Sequence, residues 1–149
     1  MKWRKYRLEM VAEPNVVDTY DCKLNTREKA AAFLKTIRLD KSDRERVVVM
    51  AIASEGSLIG FSEVAVGDLS SAVFNPREIL KFAVLSNAAA IIIAHNHPSG
   101  SLKASSEDVE ATTRLTECCD LIGIKLVDHI IISDRGYTSV MDKEGEETC

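Results

Sequence analysis

Three short apolar runs, rich in β-branched residues, constrain this chain more than any other feature. They are Arg46 to Ala53 (RVVVMAIA), Ala89 to Ala94 (AAIIIA) and Ile124 to Ile132. Each is short and bounded by turn signals, which favours strands over helices, and the first two lack polar alternation, as strands buried on both faces do. Leu58 to Val66 (LIGFSEVAV) follows the first run across Ser54-Glu55-Gly56-Ser57, and this reads as an antiparallel hairpin. Tyr137 to Met141, after the turn Asp134-Arg135-Gly136, reads as a last short strand. Between these runs lie helix starts. Asn25-Thr26-Arg27-Glu28 is a capping box before a helix to about Ile37. Asn75-Pro76-Arg77-Glu78 is another, with Pro at the first helical position and a helix to about Asn87. Ser105 opens a third helix that ends before Gly123. Alternating strands and helices after a hairpin dictate an α/β fold of two or three layers around a mixed sheet.

The 149 residues suffice for one domain with a real core. That domain is expected over residues 25–141, after an arm at residues 1–24 and before an acidic tail at 142–149. A short strand is expected in the arm, from Arg7 to Val11. A net charge of −4 gives no general reason for nucleic-acid binding. The local exception is the basic start with Lys2, Arg4, Lys5 and Arg7, which lends DNA weak support as a partner. No run reaches the roughly 18 apolar residues of a membrane span, and Leu8-Glu9-Met10-Val11 is no signal-peptide core. Cys22, Cys118, Cys119 and Cys149 form no C-x-x-C pair. Reduced thiols, a cytoplasmic location and no thiolate metal site are expected.

His95 and His97 close the apolar run that starts at Ala89. On a strand, residues two apart project to one side, with Cα atoms roughly 6–7 Å apart. Two imidazoles so placed can converge on one ion. Pro98 supports extended backbone at His97, since the residue before a proline is pushed away from the helical region. Asp108, in the first turn of the helix opened by Ser105, is the best third ligand. Three protein ligands leave a coordination position for water, as catalytic zinc sites do. Glu63, a carboxylate in an apolar strand, is the candidate to accept that water's proton. Each feature also has a plain structural reading. Ser105-x-x-Asp108 is itself a capping box, Glu63 could simply face outward on a half-exposed strand, and His129 could be a hydrogen-bonded core histidine.

The set Glu63, His95, His97, Ser105 and Asp108, with His-x-His-Pro followed by the Ser-x-x-Asp spacing, resembles the JAMM (MPN+) metalloprotease motif. The longer stretch VGDLSSAVFNPREILKFAVLSNAAAIIIAHNHPSG, with LVDHIIISDRGYTSV beyond the third helix, resembles more narrowly the bacterial RadC-like proteins, over about residues 45–141. That resemblance implies a cytidine-deaminase-like three-layer α/β fold and zinc on His95, His97 and Asp108. It implies Glu63 as general base and acid, and Ser105 as hydrogen-bond donor to an oxyanion. It implies hydrolysis of a peptide or isopeptide bond. For His129 a hydrogen-bonded or core histidine is favoured over a ligand role; the Asp128-His129 pair also recurs in RadC-like sequences, which adds some weight to a supporting role beside the site. The expected function is therefore a zinc metallopeptidase-like hydrolase. The alternative, from a different class, is a non-catalytic or DNA-repair-associated binding module on the same scaffold. RadC-like proteins often carry a helix-hairpin-helix module before this region; the roughly 44 residues that precede it here show no paired Gly-rich hairpins, so a DNA-repair role is expected to have little support. Ala104 and Asp68 stand where the family often has Pro and Thr.

Overall fold

A computed structural model describes residues 3–13, 22–67 and 75–142. The elements are α1 (Arg27–Thr36), a one-turn 3₁₀ helix (Leu39–Lys41), β1 (Arg46–Ile52), β2 (Leu58–Val66), α2 (Pro76–Leu85), β3 (Ala90–Asn96), α3 (Ser106–Ile122), β4 (Lys125–Ser133) and β5 (Gly136–Ser139). The strands form one sheet in the order β2-β1-β3-β4-β5. Among the described residues, only the β3–β4 pair is parallel. It is joined through α3, because parallel neighbours need a long crossover.

The sheet is covered on both faces. Val48, Met50, Ile52, Ile92, Ala94, Ile130 and Ile132 pack with Ala30, Phe33 and Leu34 of α1. Their alternates, Val49, Ala51, Ile91 and Ile93, pack with Ile79 and Ala83 of α2 and Leu115 and Cys119 of α3, joined by Leu126, which the register shift past Val127 turns to this face. Period-two alternation thus feeds two cores, giving the expected three-layer α/β arrangement with a mixed sheet.

The helix starts obey their caps. Asn75 accepts from the Arg77 N–H, with Pro76 just inside, and Ser105 and Asp108 form a reciprocal capping box. At α1 the cap is Thr26, one residue later than expected, accepting from the Lys29 N–H. Gly123 closes α3 at φ 72, where a Cβ would be strained. Residues 7–11 lie in neither helix nor strand and are exposed, so the short strand expected there does not form. The acidic stretch 143–147 and Asp68 lie outside the described residues.

Candidate metal centre

β3 runs between β1 and β4, so its C-terminal end lies at the middle of the sheet edge. His95 sits opposite Val47 on β1 and beside Ile131 on β4. It shares the face of Ile93, toward α3, and is fully buried. His97 follows just beyond the strand, before a turn closed by the Gly100 N–H donating to His97 O at 2.8 Å. Gly100 there has φ +77, and a Cβ would also meet the Arg135 guanidinium at 3.5 Å. The first turn of α3 brings Asp108 onto the two rings. Asp108 Oδ1 lies 3.3 Å from His95 Nε2, and Oδ2 lies 3.6 Å from His97 Nε2. The structure thus brings together His95, His97, Asp108 and Ser105.

Hydrogen bonds fix the ring tautomers. Thr112 Oγ1 donates to Asp108 O at 2.5 Å, so its lone pair accepts from His129 Nδ1–H at 2.6 Å. Burial pushes the His129 pKa well below the usual value, so this ring is neutral and its Nε2 is bare. His129 Nε2 therefore accepts from His95 Nδ1–H at 2.8 Å, which leaves His95 Nε2 as a lone pair. Burial lowers the His95 pKa to about 4, against the pull of the Asp108 charge. On the other ring, His97 Nδ1–H donates to Ser101 O at 3.0 Å, so its Nε2 also points into the site. The two Nε2 atoms stand 2.9 Å apart. Two bare nitrogens cannot face each other so closely, with a carboxylate alongside, unless a positive charge lies between them. In the metal-free protein the Asp108 carboxylate, 3.6 Å from His97 Nε2, raises the His97 pKa and so favours a proton there. Asp108 is held well below the usual range despite its burial, by His97, the His95 contact and Ser105. A divalent cation satisfies the same three groups, and imidazole plus carboxylate is a donor set suited to zinc.

Ser105 serves Asp108. Its N–H and its Oγ–H both donate to Asp108 Oδ2 at 2.8 Å, while its Oγ accepts from the Asp108 N–H at 3.1 Å. The hydroxyl's one proton thus points at the carboxylate.

Glu63 is not brought to this site. It pairs across β2 with Val48, whose side chain belongs to the α1 core, and Phe61 two residues earlier packs into that same core. Glu63 therefore lies on the sheet face opposite His95, and its carboxylate is ion-paired with Arg46. The carboxylate that does approach is Glu45, which the sequence reading missed. Its position two residues before Val47 gives it the face of Val47 and His95, and the Gly67 N–H extends the ladder by donating to Glu45 O at 2.8 Å. Glu45 Oε1 lies 3.9 Å from His97 Nε2, and Glu45, His95 and His97 offer ligand atoms within 4.8 Å of one another. The available signal was its odd-number parity with Val47 and Val49.

Residues 24–146 match the family model described as RadC-like JAB domain. The chain belongs to that family. Among its relatives, a UPF0758 protein of Clostridium acetobutylicum is 42% identical over 118 residues, which cover 79% of this chain and 52% of the relative. A UPF0758 protein of Staphylococcus haemolyticus is 43% identical over 100 residues, 67% of this chain and 44% of the relative. One of Desulfitobacterium hafniense is 41% identical over 101 residues, with 68% and 44% covered. The chain thus spans about half the length of these relatives. Among the described residues of this RadC-like JAB domain, no helix is long and apolar enough to cross a membrane.

Proposed function

We propose that this RadC-like JAB domain is a zinc-dependent hydrolase of peptide or isopeptide bonds, acting in the reducing cytoplasm. The observation that carries the reading is the convergence of His95 Nε2, His97 Nε2 and the Asp108 carboxylate on one point, with Glu45 approaching from the β1 side. His95, His97 and Asp108 would hold the metal. A bound zinc supplies a Lewis acid that lowers the pKa of water toward ~7.

The chain's own residues supply the rest. Glu45 takes the proton of the attacking water on Oε1 and returns it to the leaving amide nitrogen, replacing Glu63 in the role of general base and acid. His129 and Thr112 keep the His95 proton on Nδ1, so that Nε2 stays available. Ser105 Oγ, turned from Asp108 toward a substrate, donates to the carbonyl oxygen as charge develops there. A polar cavity of about 490 Å³, lined in part by His97, Ser99, Ser133 and Arg135, opens beside the centre and gives an extended polar chain room to lie against it.

The test is a peptide and isopeptide library incubated with the zinc-loaded wild type and Glu45→Gln, with products read by mass spectrometry. The wild type should cleave, and Glu45→Gln should keep its zinc while losing about 10²- to 10⁴-fold in rate. Equal cleavage by both removes Glu45 from the role. Binding of duplex DNA without any amide cleavage would favour the binding-module alternative.

A further inference from the structure

We propose that Asn96, the residue between the two histidines, is the positioning residue for Glu45; this rests on reading Glu45 as the proton carrier. Asn96 points to the opposite side of the strand from His95, is only 2% exposed, and directs its whole amide at the segment that carries Glu45. The Arg46 N–H donates to Asn96 Oδ1 at 2.9 Å. Asn96 Nδ2 donates to Arg44 O at 2.9 Å and to Ser42 O at 3.3 Å. The first two partners flank Glu45 directly, one on each side in sequence. One side chain therefore grips the backbone before and after the glutamate. From the other edge, the Gly67 N–H holds Glu45 O at 2.8 Å. With its peptide units anchored this way, the Glu45 backbone is fixed, and Oε1 comes to rest 3.9 Å from His97 Nε2.

The chemistry requires an amide at position 96. An acceptor is needed for Arg46 and donors for Arg44 and Ser42, and only Asn at this length offers both. A carboxylate there would aim a negative oxygen at two carbonyl oxygens. The His-Asn-His tripeptide thus has two outputs from one stretch of strand. The histidines face the metal position, and the asparagine between them fixes the loop that delivers the base. Displacing such a base by even about 1 Å can cost on the order of a hundredfold in rate.

The experiment compares zinc-loaded wild type, Asn96→Ala, Asn96→Asp, Glu45→Gln and the Glu45→Gln/Asn96→Ala double variant. Zinc affinity is measured by chelator competition, amide hydrogen exchange is followed at residues 43–47, and kcat and KM are taken on a peptide the wild type cleaves. In Asn96→Ala, zinc affinity should stay within a factor of about three, short of the loss given by residues that support a ligand. Exchange at the Arg46 amide should rise by about tenfold or more. The kcat should fall about tenfold to a hundredfold with KM little moved. The double variant should be no slower than Glu45→Gln alone, because both changes act on one proton transfer. Asn96→Asp keeps the acceptor for the Arg46 N–H but repels the Arg44 and Ser42 carbonyl oxygens, so it should slow cleavage at least as much as Asn96→Ala. Asn96→Ser, small, neutral and able to accept from Arg46, serves where the alanine form does not fold. Unchanged exchange at Arg46, additive losses in the double variant, or a collapse of zinc affinity each overturn the proposal. A wild type that cleaves no amide defeats the hydrolase reading, and the exchange and affinity measurements then decide the Asn96 clamp by themselves.

Discussion

Replacing His129 by alanine should weaken zinc binding without touching a ligand. His129 and His95 are both fully buried, and His129 Nε2 is the acceptor for His95 Nδ1–H at 2.8 Å. Without it, the proton on Nδ1 has no partner, and an orphaned buried donor costs about 1–3 kcal/mol. The imidazole can escape that cost by moving its proton to Nε2, the atom that faces His97 and Asp108, which removes the lone pair a cation needs. Losing an outer partner of a metal-binding histidine typically costs about 10- to 100-fold in affinity, or about 1.4–2.7 kcal/mol. Chelator competition at neutral pH reads the affinity, and circular dichroism checks the fold. His129→Gln, whose amide oxygen can accept the same proton, should recover most of the loss. If His129→Ala binds zinc as tightly as the wild type, the tautomer argument fails. If His129→Gln is no better than alanine, an acceptor at this position is not what holds the His95 tautomer, and the argument fails as well.

Two further outcomes follow from the same geometry. The metal-free protein should lose stability in acid: His95 is lowered to about 4 by burial and His129 is also depressed by burial, so the unfolded chain binds protons first. Stability held above the ordinary value of about 6.5 then drains away as the pH falls toward the folded values, by about 3 kcal/mol for His95 alone. His97 works in the opposite sense and in another window, since its raised pKa adds stability below about 6.5 that is lost as the pH rises through the folded value. Urea titrations of chelator-treated protein between pH 7 and 4 check this, and a flat profile refutes it. Glu63→Ala should cost no more than about 1 kcal/mol, because its pairing with Arg46 joins groups about one-third exposed. It should leave zinc affinity and cleavage unchanged; loss of cleavage with zinc retained would return the base role to Glu63.

The strands, the helix starts and the pair of histidines were legible because they depend on local chemistry. β-Branched runs, Asn-Pro and Ser-x-x-Asp each act within a few residues. The same locality explains how His95, His97, Ser105 and Asp108 were found together. The glutamate was not legible, because the face a strand residue occupies depends on how its strand registers with the next. Between β1 and β2 that register slips at Val47/Val48, where Val64 has no partner. Counting along LIGFSEVAV cannot tell which core Glu63 faces. Glu45 lies in the charged stretch KSDRER, just ahead of the apolar run, and its value appears only once β1 pairs with β3. The arm differs in another way: Arg7 to Val11 has the composition of a strand, but it is exposed and adds to neither edge of the sheet, β2 or β5.

The Ser105–Asp108 capping box has a consequence for how the centre comes into being. The oxygen that closes the end of α3 belongs to the same carboxylate that meets the imidazoles. Winding the first turn of that helix and completing the ligand trio are therefore one event. A cation arriving early would speed nucleation of α3, and a frayed α3 would let the cation go.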